Sequence, residues 1–476
     1  MATITHGIST AKQATSVSSP NVAASGVIFA VGTSPAHMVS GKINEVVMAN
    51  NYEEAVKALG YCDDWKNYGL SEIVYTAFVL YQQSPIFFVN VLDPKKHKKE
   101  TTAEYDVLEN QIILPIETIT ESVRIAEKEK GEDFEVFYND TQCIVEFTND
   151  TTGKVIVSFT EVDPSKVTKK DIIGGYSVAT HKTTGLELID NVFPKYTIVP
   201  DLILCPNWSH DSEVAAVMSA KGENINGLFQ ADAVIDMDTR AEGGVTYYTE
   251  APAWKKSKNL MKPNELVCFP KLKLGDKVFN YSTQFAALIA RTDNDGAMGG
   301  GTPCESASNK SLQADSMVLE SGEEVLLDVQ QANYLNDNGI ITGLNFFGGF
   351  VSWGDFTACY PANTDPVDYF YCISRMFKWV AKTVTLSYWS YTDRKLTRRL
   401  IETILTSINS WLNSLTAEEK IIGGRIELRD EENSQTAIMS GKAKFHIYIA
   451  PPSPLRLMEY VLEYDVSYLR SLLIVE

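Results

Sequence analysis

Close to the end of the chain, Pro451-Pro452-Ser453-Pro454 imposes a stiff, extended break. Beyond it, Leu457–Tyr464 (LMEYVLEY) has strand character and no obvious local partner. A lone strand leaves a row of N–H and C=O groups unpaired, costly to bury and prone to pair with another chain. Whatever precedes the break must therefore leave this strand to a sheet edge elsewhere. The preceding stretch reads as a self-contained block from Trp353 onward. Trp379–Tyr391 is rich in β-branched and aromatic residues, which predicts a strand. In 394–415, Leu396, Leu400, Ile404, Ile408, Trp411 and Leu415 recur at helical spacing. Gly423-Gly424 is placed to stop that helix and start a turn, and 425–428 and 444–450 predict two further strands.

The chain has 476 residues, enough for roughly two to four domains. Its net charge of −19 argues against nucleic acid or an anionic membrane surface as the main partner. No apolar run reaches membrane-spanning length, and the first residues lack a signal-peptide layout, so synthesis and retention in a cytosol are expected. Seven cysteines, scattered and with no CxxC pair, predict buried reduced thiols.

Taken in order, residues 1–24 are small and polar, with no apolar stripe to dock on their own domain. Val27–Gly32 predicts a buried strand. Asn51 caps a short helix over 53–59, and Ser71 caps a second with Ile73, Val74, Ala77, Phe78 and Tyr81 inward. Ile86–Leu92 is apolar on both faces, as a covered central strand is. Lys95–Lys99 is a basic run expected to be a solvated linker. After it, 134–138, 143–147 and 154–159 alternate apolar and polar residues between turn signals, the pattern of an inserted β-sandwich. From Pro194, strands at 198–205 and 228–235 alternate with helices at 212–220, capped by Asp211, and 283–291, capped by Ser282, which predicts a mostly parallel sheet.

Several ordered blocks carry a family resemblance. They include Asp64-Trp65, Phe88–Pro94, Lys271–Lys277, Ser308–Asp315, Gln331–Asn336, Trp353-Gly354, Thr357–Pro366, Arg398–Thr403 and Tyr448–Pro454. Together they resemble the tail sheath proteins of contractile bacteriophage tails and related contractile bacteriocins. The resemblance implies a multidomain α/β and α+β fold. Its parts would be an N-terminal arm (1–24), an α/β unit (25–95), an inserted β-sandwich domain (96–194), a non-catalytic subtilisin-like α/β domain (195–350), a C-terminal α+β assembly domain (351–456) and a C-terminal arm (457–476). It implies a structural subunit that polymerises with itself in stacked, hexameric rings around a tail tube and contracts to drive the tube through an envelope. The tube protein, baseplate and tail terminator would be its partners, without nucleic acid or membrane. The setting would be a phage tail or bacteriocin particle assembled in the bacterial cytoplasm. The arms would exchange strands between subunits. Ile4, Thr15 and Val17 are the candidates at one end, and Met458, Tyr460, Leu462 and Tyr464 at the other.

A subtilisin-like domain invites a search for a catalytic triad. None of the six histidines sits in a His-Gly-Thr setting, and no nucleophile elbow exists. His210-Asp211-Ser212 is adjacent in sequence, and Asp211 is better explained as a helix cap. Gly296–Thr302 lacks the lysine of a phosphate loop and is expected to be a flexible loop. No catalytic, cofactor or metal site is expected. Arg394, Lys395, Arg398 and Arg399 crowd the first turns of the long helix, the unfavourable end for cations. Thr392-Asp393 would cap it and Glu402 would pair with Arg398. Either internal salt bridges or contact with an acidic tube accounts for the cluster. A non-contractile shell or tube protein and a degenerate hydrolase are the alternative functions.

Overall fold

The structure, a computed structural model, describes residues 20–139 and 142–473. At its centre lies a six-stranded sheet. In spatial order its strands are Glu265–Cys268, Asp232–Asp236, Leu202–Leu204, Ile28–Gly32, Ile86–Asn90 and Val47–Ala49. All neighbours pair in parallel except Val47–Ala49, which runs antiparallel on Ile86–Asn90. Alternate residues feed two separate cores. Phe29, Val31, Phe87, Val89, Ile203 and Ile235 face one layer; Ile28, Ala30, Phe88, Leu204 and Val234 face the other. This two-sided burial is why these strands are continuously apolar.

Between Ile86–Asn90 and Leu202–Leu204 the chain builds a separate β unit. Lys98–Val107 pairs antiparallel with Gly153–Val162 over ten residues, and Arg124–Ile125 joins the latter. A second sheet orders Gln111–Leu114, Cys143–Phe147 and Phe134–Tyr138. Both sheets contribute to one core that includes Val107, Ile112, Phe134, Val145, Val157 and Phe159. The basic run is not a linker. Lys96 and the buried His97 both reach Asp171, and Lys98 begins the ten-residue strand.

The last third departs most from expectation. Trp379–Tyr391 is not a strand: Tyr371–Tyr388 is a single helix. Cys372, Met376, Trp379, Val380 and Thr383 fall on one buried face, and that burial outweighs the strand propensity of the β-branched residues. Nor is the block from Trp353 self-contained. Phe356, Phe370 and Tyr371 pack into the second core of the central body. A separate C-terminal core begins at Met376 and joins Trp379, Ile408, Trp411, Leu412, Leu415 and Ile426. The Trp379 and Trp411 rings lie 5.6 Å apart. One helix thus belongs to both bodies.

The long helix is Arg398–Ala417, capped by Thr397, whose side chain accepts from Leu400 N at 3.2 Å. Thr392-Asp393 lies upstream of that cap. The helix ends before Glu419, which takes a left-handed φ of 58°. Gly423-Gly424 is not its stop signal but the start of the strand Gly423–Leu428, paired antiparallel with Phe445–Ala450. The Asn51 and Asp211 caps are as expected. Ser71 and Ser282 are not caps. Each lies inside its helix, preceded by Tyr68 and Asn280 respectively.

Candidate assembly surface

Two chain segments enter and leave the central body, and both are anchored at their roots. At the N-terminal side, Ala23 is buried, although the sequence offered no docking stripe. Its amide donates to Thr383 Oγ1 and its carbonyl accepts from Trp379 Nε1 at 2.9 Å. Lys382 Nζ donates to Ala24 O at 2.7 Å. Below this seam lies a buried ionic network. Arg375 makes two parallel bonds to Asp293, at 2.9 and 2.5 Å, and Ser25 Oγ donates to the same carboxylate at 2.7 Å. Lys378 pairs with Asp232, and Lys382 with Asp201. Burial works against the Arg375 charge, but Asp293 outweighs it and raises the guanidinium's pKa. The network joins the segment after Pro20, the central sheet and the shared helix.

At the C-terminal side, Pro451–Pro454 carries the chain from the hairpin back to the body. There Arg456 Nε meets the buried Asp355 carboxylate at 3.2 Å, and the guanidinium lies 4.0 Å over the Phe356 ring. Past Arg456 the stretch 457–464 lies exposed. Met458, Tyr460, Leu462 and Tyr464 are 63%, 78%, 96% and 77% exposed, and no strand pairs with them among the described residues. Ile4, Thr15 and Val17 lie outside the described residues.

The hairpin Gly423–Leu428/Phe445–Ala450 is a two-stranded sheet. Phe445, Ile447 and Ile449 turn toward the C-terminal core. His446 and Tyr448 take the other face, where Tyr448 lies beneath the Arg425 and Arg429 guanidinium groups. A two-stranded sheet is marginal alone and here rests on the helix beneath it.

The four cations are all exposed, but they do not form one helical cluster. Arg398 and Arg399 open the helix; Arg394 and Lys395 precede its cap. Arg398 pairs with Glu402 at 2.8 Å, as the spacing implied. Arg394 stacks 4.5 Å over Tyr391 and donates to Ser390 O. Lys395 and Arg399 make no ion pair among the described residues.

A cleft opens beside the C-terminal ends of Ile28–Gly32 and Leu202–Leu204, where the strand order reverses and α/β folds commonly bind ligands. Thr33, Asn207, Ser209, His210, Asp236 and Lys271 line it. Its polar groups serve one another. Asp236 accepts from Ser282 N at 2.8 Å and from the Ser282 and Ser209 hydroxyls. Glu72 accepts twice from Asn280 at 2.7 Å and from Thr283 Oγ1 at 2.6 Å. Two internal carboxylates thus fill the helix N-terminus that an anionic ligand would use. Among the described residues no hydrogen bond joins His210 to Ser209, Asp211 or Ser212, and Asp211 caps its helix through Glu213 N. Gly296–Thr302 is also not a loose loop: Gly299, Gly300 and Gly301 amides all bond back to the Thr292–Asp295 turn.

No protein-family model matches the chain. Along 98% of its length it is 24% identical to the tail sheath protein of Burkholderia phage BcepMu, over 98% of that protein. Among solved structures, the sheath complex of the extracellular contractile injection system PVC, in its contracted state, superposes with a TM-score of 0.60. That match covers 98% of this chain and 100% of the other at 12% identity. This is the fold of a contractile tail sheath protein. The contracted helical sheath of the anti-feeding prophage gives 0.58 at 12% identity, over 98% and 100% of the two chains. A sheath tail protein of Desulfitobacterium hafniense gives 0.50 at 10% identity, over 89% and 93%. The sheath fold therefore spans both the central body and the C-terminal hairpin unit. The buried network around Arg375 and the Arg456 anchor went unread in the sequence. The one available signal is the spacing of Arg375, Lys378 and Lys382, which the strand expected from Trp379 cuts across.

Proposed function

We propose that this chain is the sheath subunit of a contractile injection device. It would polymerise with itself in stacked hexameric rings around a tail tube, bounded by baseplate and terminator proteins, in a phage tail or bacteriocin particle built in the bacterial cytoplasm. The observation that carries the reading is the end-to-end likeness to a tail sheath protein and to contracted sheaths. In this reading the central sheet belongs to the subtilisin-like domain, and the paired three-stranded sheets at 98–162 form the inserted β-sandwich. Neither contributes catalysis.

Function then follows from hydrogen bonding. Among the described residues Leu457 to Tyr464 pairs with no strand and exposes apolar side chains, and the hairpin has only two strands. Strand donation between subunits satisfies both. Each added main-chain bond contributes ~0.5–1.5 kcal/mol net, so a handful per arm holds subunits together while their bodies rotate. Contraction needs no nucleotide. A small gain per subunit, summed over a cooperative lattice, does the work. Ile4, Thr15 and Val17 are assigned to the opposite arm, and Arg394, Lys395, Arg398 and Arg399 to the tube-facing side.

Negative-stain microscopy of the expressed chain should show long tubes, and deletion of residues 2–20 should leave a folded monomer that does not polymerise. Tubes from the truncated chain would remove the N-terminal arm assignment. A lattice found in one state only, under every trigger, would favour the static shell instead.

A further inference from the structure

The two sheets of the β unit at 98–162 turn different faces to solvent. On the sheet of Lys98–Val107 and Gly153–Val162 the exposed charges are matched. Asp106 lies directly opposite Lys154, which also pairs with Glu104 at 2.9 Å. On those two strands Ile156 is the one exposed large apolar side chain. The other sheet alternates so that Ile112, Val145, Phe134 and Phe147 turn inward. The side chains between them turn outward, and the register stacks these in two rows across three strands. Ile113 lies opposite Ile144, and Ile144 opposite Phe137. Gln111 lies opposite Glu146, and Glu146 opposite Glu135. Strand spacing makes each row about 10 Å long, with about 7 Å between the rows. Ile113 is 55% and Phe137 41% exposed, so the apolar row is open to solvent. Like charges directly opposite on a sheet are destabilising. Glu146 accepts from Gln111 Nε2 at 3.2 Å, but neither it nor Glu135 pairs with a cation among the described residues.

We propose that this face is a docking site for a different protein, through a segment that carries an apolar stripe flanked by lysine or arginine. An exposed apolar row bordered by polar groups has the make-up of an interaction surface. Charge decides the occupant. Cations laid over Glu135 and Glu146 turn a repulsive pair into an attractive one, while the stripe covers Ile113, Ile144 and Phe137. Nucleic acid and anionic lipid would meet the same two carboxylates and be repelled. A second copy laid face to face would bring four carboxylates together. The site stands whether or not the chain builds a sheath. In a sheath it would let the β unit carry a second protein along the polymer.

Fluorescence anisotropy with the full chain and two labelled synthetic peptides tests this. One peptide is an amphipathic leucine–lysine helix; the other has glutamate at every lysine. At about 0.15 M salt the lysine peptide should bind saturably and the glutamate peptide should not. E135K with E146K should weaken binding at least about tenfold, and I113S with F137S should do the same. E100K with E104K, on the other sheet, makes the same change in net charge and should weaken it less than about twofold. No binding of the lysine peptide, or equal losses in the two charge-reversed variants, would overturn the proposal. The fold is read separately. E135K alone sets opposite charges across the pair, so it should raise the melting temperature while weakening the peptide. A lower melting temperature would show that the two carboxylates serve the fold, and the docking assignment would fall. Polymer lost from I113S with F137S, with no peptide present, would give the face to a second copy and overturn the occupant.

Discussion

The central body and the C-terminal hairpin unit treat backbone polarity in opposite ways. In the central body five of the six sheet strands are fully buried, and charges on the packed helices, such as Arg375 and Asp293, are paired inside. In the hairpin unit the sheet has two strands among the described residues, and Leu457–Tyr464 beyond it is exposed. The first arrangement is complete within one chain. The second leaves edges that, in the proposed function, strands of neighbouring copies complete. If the chain is the sheath subunit proposed above, moving as a rigid body while linked to neighbours calls for both.

The sharpest way to break this contrast is Arg375→Ala. It leaves Asp293 buried without its cation and should cost ~3–5 kcal/mol in urea unfolding. A loss under about 1 kcal/mol would mean that the body does not depend on the network. Trp411→Ala removes a ring from the hairpin unit's core, and ~3–5 kcal/mol is expected. Because its partner Trp379 lies on the shared helix, calorimetry should show the hairpin unit melting ahead of a largely unaltered body. Simultaneous collapse of both would erase the distinction between them.

Acidity sharpens the picture on the body's side. Burial pushes Glu72 from its ordinary 4.5 up to about 7, against the pull of Thr283 and Lys271. The folded state therefore binds the proton more tightly than the unfolded one. Glu72's contribution is fully present below pH 4.5 and is lost as pH climbs through about 7. Stability measured against pH should fall over that window, and Glu72→Gln should flatten the fall. An unchanged slope would show that the carboxyl does not titrate there. The smallest effect on folding is expected from reversing Arg394 and Lys395 to glutamate. Both are exposed, so the fold should be unchanged within about 0.5 kcal/mol. Co-assembly with tube protein should weaken, most clearly at low salt. Unchanged co-assembly would move the tube contact elsewhere.

Legibility followed the same divide. Period-two alternation at 134–138 and 143–147, the doubly buried run at 86–90 and the caps at Asn51 and Asp211 were readable because each is a local pattern. The shared helix is not legible from its strand-prone half, because the β-branched residues begin at Trp379 whereas the buried stripe begins at Tyr371. Arg375 and Asp293 stand 82 positions apart, and no periodicity links them. Asn409 reads as an ordinary polar residue on a helix until Ile426 is placed beside it. The exposed tail, by contrast, was evident from the start, since a strand-like run after a proline break has no local partner.

Helical reconstruction of the assembled polymer, at a resolution that traces the backbone, is the most direct measurement. The proposed function predicts density for Leu457–Tyr464 hydrogen-bonded along the C-terminal hairpin of a neighbouring subunit. If instead that segment returns to the hairpin of its own chain within the lattice, subunits are not joined by exchanged strands, and the account is wrong.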